Sequence, residues 1–134
     1  MYWILNQPTL RTITCQMRGL LTEEEALAAE RENKQVVDSY GGEPHLCFAD
    51  ARGFAPASPA VAASLQRTIE YSRRNGTVCC VHLYDSAIAR LQGARLAREA
   101  TKEIDGTVTV EVVSLEEAEQ VLREQRLRLR KPAR

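Results

Sequence analysis

The chain has 134 residues, the length of one ordinary domain, with a normal globular balance of hydrophobic (44%) and charged (27%) residues. Lys and Arg together number 18, as do Asp and Glu, so the net charge is zero, which argues against general nucleic-acid binding. The apolar runs are far shorter than the roughly 20 residues that span a bilayer, and we identify no signal peptide. We therefore expect a cytoplasmic protein without stable membrane insertion.

The N-terminal residues predict an antiparallel hairpin. Strand-like runs cover residues 2–5 and 10–17, and Pro8 lies in the turn between them. In the second run apolar residues alternate with polar ones, a period of two that indicates a strand with one face in the core. The apolar members of this alternation are Ile13, Cys15 and Met17.

A capping signal predicts where the first helix begins. Thr22 and Glu25 form a capping box, in which each residue's side chain accepts a hydrogen bond from the other's backbone amide. An inner face then follows at spacings of three and four residues. Its members are Ala26, Ala29, Asn33, Val36 and Tyr40. Asn33 is the polar exception, and either a satisfied amide or a ligand contact explains it.

Two apolar runs with a helix between them predict a parallel pair of strands. The runs cover residues 45–50 and 77–85, and the helix opens with Ser58, a favoured N-cap, and Pro59, a favoured first helical residue. Because both runs are apolar throughout, we expect a buried parallel pair with a right-handed crossover.

A third helix is predicted over residues 86–104. Its inner face consists of small residues, so we expect this helix to lie close against the sheet. That face comprises Ala89, Gly93, Leu96, Ala97, Ala100 and Ile104. Ile88 and Leu91 lie off the face, near Arg95, and could form an oligomer or partner surface. Isolated exposed apolar residues are also common on ordinary surfaces.

A last strand and a last helix complete the chain. A second capping box, at Ser114 and Glu117, opens this helix. The predicted order is β-β-α-β-α-β-α-β-α, an α/β fold with a mixed sheet of about five strands. We assign one domain to residues 1–126 and a basic C-terminal tail to residues 127–134. The tail is either solvated or in weak contact with an acidic surface.

Candidate functional residues gather where the parallel strands end, because ligand sites in open α/β sheets lie beyond that edge. Asp50 and Asp85 each end a strand, and Arg52, Ser58 and Ser86 follow them. We take Asp85 and Ser86 as candidate ligand contacts. No catalytic triad is predicted, because neither histidine of the chain is placed at this edge. We therefore expect a protein that is not an enzyme and holds no cofactor.

The four cysteines are predicted to be structural thiols. They are Cys15, Cys47, Cys79 and Cys80, and all lie in apolar, strand-like runs. No pair has the C-x-x-C spacing of a metal or redox site, so we expect no metal and no disulfide framework. Cys79 and Cys80 should point to opposite faces of the sheet.

The order of elements, with an aspartate after the second buried strand, resembles a STAS domain, the SpoIIAA-like fold of anti-sigma-factor antagonists. The resemblance is nearest to the STAS/SEC14-like group of uncharacterised bacterial proteins and covers nearly the whole chain. The segments that carry it are "MRGLLTEEEA", "LCFADARGF", "VCCVHLYDSAIARL" and "VEVVSLEEAEQVL". They are patterns of element and spacing, and none is a catalytic signature.

The resemblance implies a signalling or interaction module. The antagonists carry a phosphorylatable hydroxyl in a D-x-S-G-like turn, but here the turn is "DARG" and that position is Arg52. Ser58 is then either a helix cap or a displaced phosphosite. We expect an unidentified protein partner, or a second copy of the chain, to bind at Asp50, Arg52, Phe54 and Ser58. Phe54 is either an interface anchor or a lid over the core.

The SEC14 side of the resemblance implies an alternative, a carrier of a small apolar or lipid-like ligand. Such a carrier needs space between the sheet and its helices. The small inner face of the third helix argues for close packing instead.

Overall fold

Five strands form one mixed sheet whose spatial order follows the chain. The computed structural model describes residues 1–130. The strands are β1 (Tyr2–Gln7), β2 (Thr12–Met17), β3 (His45–Asp50), β4 (Thr77–Leu83) and β5 (Val108–Val112). The helices are α1 (Glu23–Asp38), α2 (Pro59–Arg74), α3 (Ala87–Thr101) and α4 (Leu115–Leu129). The predicted α/β class, element order and mixed sheet are confirmed.

β1 and β2 form the predicted antiparallel hairpin, and β2 through β5 are parallel. A 3₁₀ turn at Pro8–Leu10 joins the hairpin, and Arg11 closes it with a φ of 47°. The expectation of a half-buried β2 is wrong at its start. Thr12 is fully buried, because Arg126 of α4 reaches over this face and donates a hydrogen bond to its hydroxyl at 3.3 Å.

The two faces of the sheet carry different helices. α4 covers one face, where it packs on a core cluster. Its buried members are Leu46, Cys79, Val81, Leu83, Val112, Ala118 and Leu122. Cys80 points to the other face, toward residues of α1, α2 and α3. The adjacent Cys79 and Cys80 therefore lie on opposite faces, as predicted.

α3 packs mainly against α2 and not closely against the sheet. Its predicted inner face is buried at Ala89, Leu96, Ala97 and Ala100. Ala89, Gly93 and Leu96 line a cavity between α3 and the sheet, so the expectation of close packing on the sheet is wrong.

The C-terminal helix runs past the boundary predicted at residue 126. α4 ends at Leu129, so the first residues of the predicted basic tail are helical. Arg130 is the C-cap of this helix, and the remaining tail residues, 131–134, lie outside the described part of the chain. Within residues 1–130, no helix is long and apolar enough to cross a membrane.

Candidate functional site

The carboxyl ends of β2, β3 and β4 meet in a cluster of paired charges centred on Asp50. Arg18, just after β2, donates hydrogen bonds to the Asp50 backbone oxygen and to Oδ2, both at 2.9 Å. Arg52 donates through Nε to Oδ1 at 3.0 Å and through its terminal nitrogen to Oδ2 at 2.8 Å. Two guanidinium groups therefore bind one carboxylate.

Asp50 is inaccessible as well as paired. Its relative exposure is 1%. Burial alone would raise the pKa of Asp50, but the hydrogen bonds from Arg52 and Arg18 outweigh burial and lower the pKa to about 2. The carboxylate is therefore ionised at neutral pH and fixes the end of β3. It is not exposed for contact with a partner.

The loop after β3 is bound to both neighbouring strand ends. Asp85 accepts a hydrogen bond from the Gly53 amide at 2.9 Å. On the other side, the Gly19 amide donates to the Gly53 oxygen at 2.7 Å, and the Ala55 amide donates to the Gly19 oxygen at 2.9 Å. Gly53 has a φ of 70°, a left-handed conformation that favours glycine. The predicted gathering of Asp50 and Asp85 at one edge is present in the structure.

The other predicted site residues differ in exposure. The Arg52 side chain is 38% exposed. Phe54 is half-buried and packs on the cluster that contains Leu21 and Val61, the position of a lid. Ser86 caps α3 by accepting from the Ala89 amide at 3.4 Å. The contacts of Phe54 and Ser86 within the chain explain why these residues are placed there. That Arg52, Phe54 or Ser86 binds a partner or ligand stays a prediction.

Ser58 is exposed and caps α2, since its hydroxyl accepts from the Val61 amide at 3.3 Å. Ser58→Ala should lower the free energy of unfolding by about 1 kcal/mol, because the amide loses its acceptor. Urea denaturation measures this change. Ser58→Asp is the matched control, since aspartate is also an N-cap and adds a negative charge at the helix N-terminus. An aspartate variant as unstable as the alanine variant would contradict the capping role.

A cavity of about 120 Å³ lies between the sheet and helices α1, α2 and α3. Cys15, Cys47 and Cys80 line its floor, and apolar side chains supply most of its walls. Cys47 lies on the central strand but keeps some accessible surface, which fits a side chain facing an open space. Voids much larger than a water molecule are few in protein interiors, so this cavity is a distinctive feature.

Two of the thiols on the cavity floor, Cys47 and Cys80, are neutral. Cys47 and Cys80 are register partners on neighbouring strands. The pKa of Cys47 is raised well above its usual value by the neighbouring Cys15 thiol, and that of Cys80 by the neighbouring Cys47 thiol and by burial. The four cysteines are free, as predicted. Within residues 1–130, no group of three His, Cys, Asp or Glu side chains could hold a metal ion.

Polar side chains around the cavity mostly bind one another. The Tyr84 hydroxyl lies 3.1 Å from Nδ1 of His82. Asn33 donates to the Ser72 hydroxyl at 2.9 Å, so its amide is satisfied while it lines the cavity. Gln92 exchanges two hydrogen bonds with the Ala57 backbone and so fastens the loop before α2 to α3. These pairs leave an interior wall that is largely apolar.

Two features of this region were not predicted from the sequence. Arg18 follows β2, and the rule that parallel strands share one carboxyl edge could have placed it beside Asp50. Arg73 lines the cavity and is buried. It lies four residues after Ile69 and eight after Leu65, which also line the cavity, and that helical spacing was the available signal.

Comparison with protein-family models gives no match for the chain, and no curated protein matches it. Of the predicted resemblance to STAS domains, the fold class alone is borne out. That fold is α/β, with a five-stranded mixed sheet and an N-terminal antiparallel hairpin.

Proposed function

We propose that this protein binds a small, mainly apolar molecule in the cavity between its sheet and helices α1–α3, as a carrier or sensor. The observation that carries the proposal is the cavity of about 120 Å³ with its largely apolar lining. An engineered apolar cavity of about 150 Å³ stays dry and binds benzene. A ligand with an apolar part near the size of benzene therefore fits this space.

The side chains at the cavity favour binding over chemistry. The thiols of Cys47 and Cys80 are poor nucleophiles at neutral pH, because their raised pKa values disfavour the thiolate. The Asp50 carboxylate, at the carboxyl end of β3, forms ion pairs with Arg18 and Arg52. These facts support a binding protein without an enzymatic role.

Benzene binding, followed by ligand-observed NMR, tests the proposal directly. We expect the full-length protein to bind benzene and Cys47→Leu to lose this binding, because the larger side chain fills the cavity. The same variant should gain about 1 kcal/mol in free energy of unfolding through added apolar burial.

Val113→Leu is the matched control, since Val113 is 80% exposed and does not line the cavity. Benzene binding that survives in Cys47→Leu, or that is absent from the unaltered protein, would contradict the proposed function. Native mass spectrometry of freshly purified protein adds an independent reading, since retained mass on each subunit identifies the natural ligand.

A second candidate is the STAS-like interaction module, which binds a protein partner or a second copy of the chain. One observation favours it: Ile88 and Leu91 are 65% and 64% exposed on the outer side of α3, as the sequence predicted. Arg95 is exposed on the same helix.

The oligomeric state tests the homodimer form of this candidate. A dimer mass in native mass spectrometry that Ile88→Glu with Leu91→Glu converts to a monomer mass would support it. A monomer at all protein concentrations would contradict it, and the remaining form, a different protein partner, would then be tested through Arg52→Glu in pull-down experiments.

A further inference from the structure

Arg73 is a buried cation for which the described residues supply no anion. It is 5% exposed, near the end of α2. Its guanidinium donates to the Thr107 hydroxyl at 3.3 Å and to the Thr109 hydroxyl at 2.7 Å. These are neutral acceptors, and no carboxylate within residues 1–130 lies close enough to form an ion pair with it.

A buried charge without a counter-charge is costly, so this arrangement calls for explanation. A guanidinium has five N–H donors, and the two recorded hydrogen bonds use one on each terminal nitrogen. Nε has no recorded acceptor among the described residues, and it keeps some accessible surface, because no fully buried side-chain nitrogen there lacks a partner. The next residue, Arg74, shows the ordinary alternative. It is exposed and pairs with Glu70 at 3.1 Å.

Arg73 lines the apolar cavity, and the cavity offers it no negative group. Among the described residues that line the cavity there is no Asp or Glu, and Arg73 is the one Lys or Arg. The Cys47 thiol does not supply the charge either, because the neighbouring Cys15 thiol raises its pKa, even though the nearby Arg73 charge acts to lower it.

We propose that the cavity binds a small apolar carboxylate, with its hydrocarbon part between the sheet and the helices and its carboxylate paired with Arg73. This inference rests on the proposed function and names the class of ligand. A planar carboxylate matches the guanidinium fork, which can donate two parallel hydrogen bonds. The apolar part is about the size of a benzene ring, because the cavity volume is about 120 Å³.

A comparison of benzoate with benzamide, by titration calorimetry at fixed ionic strength, tests the inference on the unaltered full-length protein. The two probes have nearly the same shape and differ in charge. We expect benzoate to bind at least tenfold more tightly than benzamide. Inorganic phosphate should not compete with benzoate, because it has no apolar part to fill the cavity.

Arg73→Met then tests the residue itself, since methionine keeps an apolar stem and removes the charge. We expect benzoate affinity to fall at least tenfold, to the level of benzamide, while benzamide affinity is retained. Arg74→Met is the matched control and should change neither affinity. If Arg73→Met does not fold, Arg73→Lys keeps the charge without the fork and should still favour benzoate, by a smaller factor.

The outcomes separate this inference from the proposed function. Equal affinity for benzoate and benzamide in the unaltered protein would overturn the carboxylate inference and leave apolar-ligand binding intact. An undiminished preference for benzoate in Arg73→Met would overturn the role of Arg73. Failure of benzoate, benzamide and benzene to bind would overturn both the carboxylate inference and the proposed function. Effective competition by phosphate would overturn the carboxylate inference by showing that the site binds simple anions.

Discussion

Replacing Asp50 by asparagine should remove about 2 kcal/mol from the free energy of unfolding at pH 7. The carboxylate is buried and accepts hydrogen bonds from Arg18 and Arg52. Its pKa falls from the ordinary value of 3.8 to about 2 in the folded protein. A shift of this size corresponds to about 2 kcal/mol by proton linkage. Asparagine keeps the shape of the side chain but loses the charge that both arginines bind.

The pH dependence gives this prediction its sign. Because the folded pKa is lower than the unfolded one, the carboxylate contributes its full stability above about pH 4 and loses it as the pH falls toward 2. Urea denaturation between pH 2 and pH 7 should show this loss in the unaltered protein. The Asp50→Asn protein should lack that part of the pH dependence.

Asp85→Asn is the control at the same edge of the sheet. Asp85 is exposed and accepts one recorded hydrogen bond, from the Gly53 amide, so its replacement should cost less than 1 kcal/mol. Equal losses for the two variants, or an unchanged pH dependence in Asp50→Asn, would show that the arginine pairs do not stabilise the fold as argued.

The sequence predicts the fold well because the signals for its elements are local. The Thr22–Glu25 capping box opens α1 in the structure with both reciprocal hydrogen bonds. Ser58 and Ser114 also cap α2 and α4 as predicted. The predicted second capping box is incomplete, because the Glu117 carboxylate accepts from the Val113 amide at 3.3 Å and not from the Ser114 amide. Apolar runs of strand length identify the parallel strands, and the chain order then leaves few topologies. Each of these inferences needs only neighbouring residues.

The cavity could not be predicted in this way, because a void is set by the combined sizes of side chains from many elements. Small residues on α3 indicated close packing on the sheet. In the structure the Tyr84 ring occupies the space beside Gly93, and α3 lies against α2. Arg73 was missed for a related reason. Two adjacent arginines at a helix end are typical of an exposed surface. In the structure Arg74 is exposed, but Arg73 is buried.

Gly93→Ala should destabilise the protein, although alanine normally stabilises a helix interior by about 1 kcal/mol relative to glycine. A Cβ atom at position 93 would lie 1.8 Å from the Tyr84 hydroxyl oxygen and 2.6 Å from the adjacent ring carbon. The rigid ring must therefore move, which breaks its hydrogen bond with His82 and exposes buried ring surface. We expect a net loss of about 2 kcal/mol in free energy of unfolding.

A double-mutant cycle isolates this clash from other effects of the substitution. Tyr84→Ala removes the ring and is destabilising in its own right, but it leaves space for a Cβ atom at position 93. In that background Gly93→Ala should become stabilising by up to about 1 kcal/mol, because only the helix propensity remains. Urea denaturation of the four proteins measures the coupling. A stabilising Gly93→Ala in the unaltered background would show that the Tyr84 ring does not block a Cβ atom at position 93.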